Sequence, residues 1–221
     1  MRDEGAGRRY RPQPDGPWAS LLERGLRILK SQPALEGRWT LGGGTVLMFR
    51  YAHRRSKDID IFFDDPQLLG YVSPRLNDMA DAPDYDEQAK HVKLRYPEGE
   101  VDFIIAPDLL GLPTTALSFQ GHEVPCEHPL EIVAKKVAYR HEAFAVRDFF
   151  DLATVLGEHP QEADRLGLPL YARALLKRFP EGCALDVLPG GRDLLTVGMP
   201  RLRALLEELV RGRQGKEVDV G

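Results

Sequence analysis

Apolar positions along the chain recur at two spacings, which separate helical from extended stretches. In residues 17–30 they follow the three- and four-residue spacing of an amphipathic helix. In residues 59–63 they alternate with aspartates, which is typical of a strand with one buried and one polar face. Pro33 and Pro66 follow these stretches and end them, because proline has no backbone N–H to donate.

The same patterns extend over the rest of the chain. Short apolar runs predict strands at residues 39–41, 92–96 and 101–105, the last two joined as a hairpin. Helical spacing predicts helices at residues 45–51, 129–140, 146–156, 162–179 and 200–213. Residues 64–88 are acidic and are expected to form a loop with a partial helix at residues 76–79. Strands thus precede a helical half, which predicts an α+β fold, a small mixed sheet flanked by helices.

Composition divides the chain into three predicted parts. Residues 1–16 are rich in Arg, Gly and Pro without periodicity, which predicts a flexible arm. Residues 17–125 are expected to form a core that contains the sheet, and residues 126–221 a helical region packed on it. Apolar residues make up 43% of the chain and charged residues 29%, which excludes wholesale disorder.

The environment of the protein follows from what the sequence lacks. There is no run of about 18 apolar residues and no apolar segment of a secretory signal near the N-terminus. We therefore expect a cytoplasmic protein without membrane contact. Cys126 and Cys183 are the only cysteines, too few for a disulfide framework or a zinc site, so both are interpreted as free thiols.

The net charge of -4 conceals an uneven distribution. Residues 1–57 contain twelve basic and five acidic residues, whereas residues 58–131 contain four basic and sixteen acidic ones. Basic flanks around an acidic middle suit a site that holds cations on carboxylates and phosphates on Arg and Lys. A solvated surface with charges clustered by chance explains the same distribution equally well.

A glycine-rich turn between the strand at residues 39–41 and the next helix is the first candidate for chemistry. Three glycines at residues 42–44 precede Thr45. Backbone N–H groups at such a turn can cradle phosphate because no side chain stands in the way. Gly43, Gly44 and Thr45 are therefore candidate phosphate-binding residues, although a glycine triplet is more often a plain turn.

Two aspartates in the following strand are the candidate metal ligands. The strand period places Asp58 and Asp60 on one face, while Ile59 and Ile61 point to the core. Adjacent carboxylates repel each other, and Mg²⁺ prefers hard oxygen ligands of this kind; Mn²⁺ is the alternative. A lone D-x-D is more often the polar face of an edge strand, but the glycine turn beside it favours a metal site.

A third carboxylate is expected on a neighbouring strand. Asp102 lies in the run from Glu100 to Ile105 and could deprotonate an acceptor or bridge a second metal. Glu100 shares its face by the period of two and competes for this role. Asp102 is favoured because apolar residues flank it on both sides.

Together these motifs resemble those of known enzymes. Gly43-Gly44-Thr45, a spacer of twelve residues, Asp58-Ile59-Asp60-Ile61 and the later Asp102 resemble the pattern of the nucleotidyltransferase superfamily. With His53-Arg54-Arg55-Ser56 before the acids, the string resembles the AbiEii/AbiGii toxin family and its mycobacterial MenT relatives. The resemblance covers residues 39–64 and 129–152, and it implies the nucleotidyltransferase fold with a small, mixed, twisted sheet.

The resemblance continues in the helical half. Lys136, Arg147, Asp148 and Asp151 resemble the family's helix lysine and its R-D-x-x-D-L motif. It implies that Lys136 holds the triphosphate; Lys135 fits less well because the family lysine precedes an apolar residue. An isolated lysine would instead be interpreted as a solvated residue on an amphipathic helix.

Other residues near the motifs have open roles. Arg147 and Asp148 are expected to form a buried polar pair that steadies the site, or Asp148 touches the nucleotide, or an ion pair joins two helices. Arg54 and Ser56 lie close enough in sequence to the acids to reach phosphate or to orient Asp58. His53 is interpreted as a hydrogen-bonded, half-buried histidine rather than a ligand.

The function implied by the resemblance is magnesium-dependent transfer of a nucleoside monophosphate from an NTP to a hydroxyl. The implied setting is a type IV-like toxin with a separate antitoxin and the tRNA 3′ end as acceptor. Basic residues in the arm and at Arg50, Arg54, Arg55 and Lys57 favour RNA. The alternatives are a small-molecule acceptor, as in aminoglycoside nucleotidyltransferases, and a nucleotide-binding pseudoenzyme, against which the three acids argue.

Overall fold

The computed structural model describes residues 16–182 and 184–218. Most of the predicted arm and Cys183 lie outside the described residues. The chain forms two compact units. The sheet unit contains the described residues up to Arg50, together with Ser56–Asp108 and Leu112–His128, and the helical unit contains Tyr51–Arg55, Leu109–Gly111 and the chain from Pro129 onward.

A mixed sheet of seven strands forms the centre of the sheet unit as far as the chain is described. The strands are β1 (Thr40–Gly42), β2 (Ile59–Phe63), β3 (Asp84–Gln88), β4 (His91–Tyr96), β5 (Gly99–Ile105), β6 (Thr115–Phe119) and β7 (His122–Cys126). Their spatial order is β3-β4-β5-β2-β1-β7-β6. The pairs β2–β5 and β1–β7 are parallel and the remaining pairs are antiparallel.

Two helices accompany the sheet, α1 (Trp18–Lys30) and α2 (Gly43–Tyr51). The apolar stripe of α1 is buried against β2 and β5. Gly25 allows the close approach, because a Cβ there would lie 3.0 Å from Ile61 and 3.5 Å from Val101. Ile61 and Val101 therefore face α1, and by strand alternation Asp60 and Asp102 project from the opposite face.

The helical unit contains α3 (Pro129–Arg140), α4 (Val146–Glu158), α5 (Leu168–Lys177) and α6 (Met199–Val218). Phe149, Phe150 and Leu152 of α4 are fully buried. Helices α5 and α6 contact each other, and α4 contacts both α3 and α6. Among the residues that the structure describes, no helix combines the length and apolar character that crossing a bilayer requires.

The structure confirms the predicted fold class and most of the predicted elements. The strands at residues 59–63, 92–96 and 101–105 are present within two residues, and the helices predicted to start at residues 17, 129, 146 and 200 start within one residue of those positions. The last of these helices continues to Val218, beyond its predicted end at residue 213. The helix predicted at residues 162–179 begins only at Leu168, after Gly167 in a left-handed conformation. The partial helix at residues 76–79 is wrong: a 3₁₀ helix spans Pro66–Val72, and β3 follows.

Candidate active site

The strand registers place three charged side chains in one row across the sheet. Asp60 of β2 stands opposite Asp102 of β5, and Asp102 stands opposite Lys93 of β4. On the other side of β2, Asp60 stands opposite Gly42 of β1. Residues opposite each other in a ladder project from the same face, so Lys93, Asp102 and Asp60 form what we call the acid row.

The glycine turn contacts Asp60, at one end of the acid row. Gly43 has φ +70° and begins α2, and a Cβ on it would lie 1.8 Å from Asp60 Oδ2. Any side chain at Gly43 would thus overlap the carboxylate, and the backbone angle itself favours glycine. The first N–H groups of α2 have no partner within the helix, so the turn can offer donors beside Asp60. Phosphate binding by Gly43, Gly44 and Thr45 stays a prediction.

The two side-chain oxygens of Asp102 differ in their contacts. Its side chain is 15% exposed, and Oδ2 lies 3.0 Å from Lys93 Nζ. Oδ1 is buried and has no hydrogen-bond partner in the described part of the chain. Burial and the charge of Asp60 raise the pKa of Asp102 to about 6, against the opposing effect of Lys93. A buried, unpartnered oxygen beside a second carboxylate suits a hard cation, so Asp60 and Asp102 fit a divalent metal.

Asp58 is held differently from the other two acids. Its Oδ1 accepts a hydrogen bond of 3.1 Å from the backbone N–H of Glu100, and its carbonyl oxygen accepts one of 2.6 Å from Thr45 Oγ1. Among residues 16–182 and 184–218, no group of three or more His, Cys, Asp or Glu side chains is arranged to hold a metal. The structure therefore brings together Asp60 and Asp102 but does not gather all three predicted ligands into one cluster.

Glu100, the competitor of Asp102, is engaged by cations on β4. Its Oε2 lies 2.7 Å from Lys93 Nζ, and its Oε1 lies 3.5 Å from Arg95 Nε. The hydrogen bond from Lys93 lowers the pKa of Glu100 below its usual value. Both oxygens of Glu100 thus face cations, which favours Asp102 as the available carboxylate.

A separate buried cluster in the helical unit surrounds Asp151. Its Oδ1 accepts hydrogen bonds of 2.7 Å from His53 Nε2 and from Arg54 Nε, and its Oδ2 accepts one of 2.7 Å from Arg54 Nη2. Lys136 Nζ lies 2.8 Å from Oδ2. Burial alone would raise the pKa of Asp151, but the charges of Lys136 and Arg54 hold it well below its usual range.

Lys136 joins α3 to α4 through two aspartates. Besides Asp151, its ammonium contacts Asp148 Oδ1 at 2.7 Å, and the other oxygen of Asp148 accepts from the backbone N–H of Ala145 at 3.1 Å. Asp148 is thus part of an ion pair between helices, one of the predicted alternatives. The pair of Asp148 with Arg147 is wrong, since Arg147 is exposed and Lys136 takes its place. Contact of Lys136 or Asp148 with a nucleotide stays a prediction.

The residues before the acids are divided between the two units. His53 is fully buried, not half-buried, and burial lowers its pKa. The Arg54 side chain is 6% exposed and its guanidinium is held by Asp151, so its contact with phosphate stays a prediction. In the sheet unit, the backbone N–H of Ser56 lies 3.3 Å from Met48 Sδ.

Two charged residues at these sites had no assigned role in the sequence interpretation. Lys93 could have been found from the hairpin of β4 and β5, because the register of that turn sets it opposite Asp102. Asp151 stands three residues after Asp148, on the same side of a helix, within the R-D-x-x-D-L motif already noted.

Comparison with known proteins decides the family. The sequence model of the nucleotidyl transferase AbiEii toxin family, of type IV toxin–antitoxin systems, matches residues 27–214. The chain belongs to this AbiEii family. Its members are nucleotidyltransferase toxins, which accords with the glycine turn and the acids of the sheet unit. None of the curated proteins matches the chain.

Three solved structures similar to this AbiEii chain are distant from it in sequence. MenT4, a nucleotidyltransferase toxin of Mycobacterium tuberculosis, is 19% identical, with 87% of this chain and 82% of that chain covered and a TM-score of 0.49. The antibiotic-resistance factor ANT(2'')-Ia is 15% identical, with 91% and 97% covered and a TM-score of 0.40. An antigenic nucleotidyltransferase-like protein of Paracoccidioides brasiliensis is 14% identical, with 88% and 90% covered and a TM-score of 0.38.

Proposed function

We propose that this AbiEii-family chain transfers a nucleoside monophosphate from an NTP to a hydroxyl at the 3′ end of tRNA, with Mg²⁺ or Mn²⁺ as cofactor. The observation that carries the proposal is the acid row, in which Asp60 stands opposite Asp102 and rests on Gly43. As a toxin of a type IV system, the protein is expected to act in the cytoplasm and to have an antitoxin partner.

Nucleotide transfer requires a base and a metal-binding group, which the two aspartates of the acid row can provide. The acceptor oxygen bonds to the α-phosphorus, the bond from that phosphorus to the departing pyrophosphate breaks, and the hydroxyl proton is taken up by a base. Two alternative roles are predicted for Asp102, proton acceptor or cation ligand, and Oδ1 is the oxygen available for either because Lys93 holds Oδ2. Asp60 and Asp102 would hold the metal, which when bound neutralises charge on the triphosphate.

Transfer is tested by incubating the protein with each of the four α-³²P-labelled NTPs, Mg²⁺ and total tRNA. We expect label on intact tRNA and none on tRNA whose 3′-terminal diol has been oxidised with periodate. Asp60→Asn should lower labelling by at least about 100-fold. Asp64→Asn is the matched control, because Asp64 is exposed and directly follows β2, and it should label like the unmodified chain.

Other outcomes identify the alternatives. Label that appears only on an added aminoglycoside would replace the RNA acceptor with a small molecule. NTP binding without covalent label on RNA, protein or small molecule would make the chain a non-catalytic binder. Labelling of tRNA that survives Asp60→Asn would remove the acid row from the reaction.

A further inference from the structure

We propose that Lys93 is a positioning residue that makes the acid row selective for a metal–nucleotide complex over the free metal ion. This inference rests on the proposed function, since it takes Asp60 and Asp102 as the metal-binding carboxylates. Lys93 lies on β4, which carries none of the predicted catalytic residues.

The contacts of Lys93 fix both its own position and that of Asp102. Its ammonium lies 3.0 Å from Asp102 Oδ2 and 2.7 Å from Glu100 Oε2. Two carboxylates on β5 thus accept from two of the three N–H donors of Lys93, whose side chain is 26% exposed. Asp102 is held by Oδ2, and Oδ1 is the oxygen left for a ligand.

The same contacts place a fixed positive charge beside the proposed metal site. A divalent cation on Asp102 Oδ1 would lie within a few ångströms of the ammonium, and like charges at that separation repel each other. Free metal therefore binds weakly. A metal bound to a triphosphate has an overall negative charge, so the same ammonium does not oppose that complex. Lys93 thus couples metal binding to the presence of nucleotide.

Arg95 provides a matched control on the same strand. It stands two residues from Lys93, opposite Glu100, and contacts Asp84 at 2.8 Å and Glu100 at 3.5 Å. Arg95→Gln removes one positive charge from the same face of β4, but from a residue that stands opposite Glu100 rather than Asp102. A difference between Lys93→Gln and Arg95→Gln therefore reports the contact with Asp102 rather than net charge.

The experiment is a titration with Mn²⁺ alone, followed by electron paramagnetic resonance of the unbound ion at about pH 8. We expect Lys93→Gln to bind Mn²⁺ about tenfold more tightly than the unmodified chain, Arg95→Gln to stay within about twofold, and Lys93→Arg to restore weak binding. Tighter binding is a gain that a misfolded variant would not show. In a second titration, Mn²⁺ with α,β-methylene-ATP should bind Lys93→Gln no more tightly than the unmodified chain.

Each failure has a distinct pattern. If Asp60→Asn abolishes Mn²⁺ binding but Lys93→Gln binds no more tightly than Arg95→Gln, the role of Lys93 is refuted while the metal site stands. Two results would refute the metal site and, with it, the role of Lys93. In the first, the chain binds Mn²⁺ and Asp60→Asn leaves that binding unchanged. In the second, neither the chain nor Lys93→Gln binds Mn²⁺, with or without nucleotide.

Discussion

At the scale of single residues, two glycines with nearly the same φ lie in different surroundings. Gly43 has φ +70° and Gly37 has φ +67°. A Cβ on Gly43 would overlap Asp60, whereas a Cβ on Gly37 would meet nothing within 4 Å. The pair therefore separates the strain of a left-handed backbone from the loss of space beside the carboxylate.

Gly43→Ala should lower nucleotide transfer by about 100-fold, because a displacement of Asp60 by about 1 Å is enough for a loss of that size. Backbone strain should lower the free energy of unfolding by about 1–2 kcal/mol in both Gly43→Ala and Gly37→Ala. Gly37→Ala should leave transfer unchanged. Transfer rates and urea denaturation of both variants provide the check. Equal activities would mean that Gly43 serves only the turn.

Asp102 predicts an unusual dependence of stability on pH. Its pKa of about 6 in the folded chain exceeds the ordinary value of 3.8, so the folded state binds the proton more tightly than the unfolded state. The free energy of unfolding should therefore fall as pH rises through this interval, by a total of about 3 kcal/mol from this group.

Asp102→Asn should remove that loss. In metal-free buffer we expect urea denaturation to show a gain of about 1–3 kcal/mol at pH 7.5 and little change at pH 4, since Lys93 keeps its contact with Glu100. Asp64→Asn, on an exposed side chain, should change stability by less than about 0.5 kcal/mol at either pH. A gain of the same size at both pH values would contradict the raised pKa.

Single residues also show how far sequence alone could define the site. The alternation of β2 and β5 was enough to place Asp60 and Asp102 on the polar face of the sheet. The orientation of Asp58 could not be predicted from the sequence, because its carboxylate turns to the N–H of Glu100, a residue 42 positions away. Arg54 was assigned by its nearness in sequence to the acids, but the structure joins it to a helix 97 residues away.

At the scale of elements, residues 184–191 form backbone hydrogen bonds with the segment Tyr51–Arg55. The backbone N–H of Leu188 donates to the carbonyl of His53 at 3.0 Å, and that of Arg55 donates to Asp186 at 2.9 Å. A Cβ on Gly191 would lie 2.1 Å from the carbonyl oxygen of His53. Residues 184–191 thus pack directly against the backbone of the segment that carries Arg54.

The neighbours Arg54 and Arg55 should differ sharply in their contribution to stability. Arg54 pairs with Asp151 where both side chains are buried, whereas Arg55 pairs with Asp186 where both are mostly exposed. Arg54→Met should cost about 3–5 kcal/mol, because Asp151 loses its bidentate partner. Arg55→Met should cost less than about 1 kcal/mol. Urea denaturation of both variants gives the comparison, and similar losses would refute the importance of the buried pair.

The sequence analysis did not predict the strands in which apolar residues do not alternate regularly with polar ones. Strand β3 is an edge strand whose polar side chains pair with β4: Asp84 contacts Arg95 at 2.8 Å, and Asp86 contacts His91 at 3.1 Å. Such a strand does not show the alternation on which the prediction relied. The hairpin of β6 and β7 was missed as well, since Leu117, Phe119 and Val124 are too few to give a clear pattern.

At the scale of the whole molecule, ligand binding should appear as thermal stability. Mg²⁺ together with α,β-methylene-ATP binds the native state, so at about 100 times Kd it should add about 2.7 kcal/mol and raise Tm by about 5–10 °C. Asp60→Asn should lose most of this response and Asp64→Asn should keep it, as measured by differential scanning fluorimetry. A full response in Asp60→Asn would place the nucleotide away from the acid row.

The order of elements in the chain allowed the fold class to be predicted, because strands dominate before residue 127 and helices dominate after it. Which residues belong to each unit was harder to predict. A boundary in sequence does not show that residues 51–55 and 109–111 belong with the helices. In residues 109–111, contacts to a buried side chain decide the outcome: Glu131 accepts from the backbone N–H groups of Leu109 and Leu110 at 2.8 and 2.9 Å.

The hydrogen bonds around Asp151 therefore bear on how the polypeptide can be divided. A fragment that starts at Pro129 would contain Asp148, Asp151 and Lys136 but would lack His53 and Arg54, so two buried anions would share one buried cation. During synthesis on the ribosome, two of the partners of Asp151, His53 and Arg54, emerge almost a hundred residues before Asp151 itself. The helices can complete their core only around a stretch of chain that was made first, which makes this protein poorly suited to expression in halves.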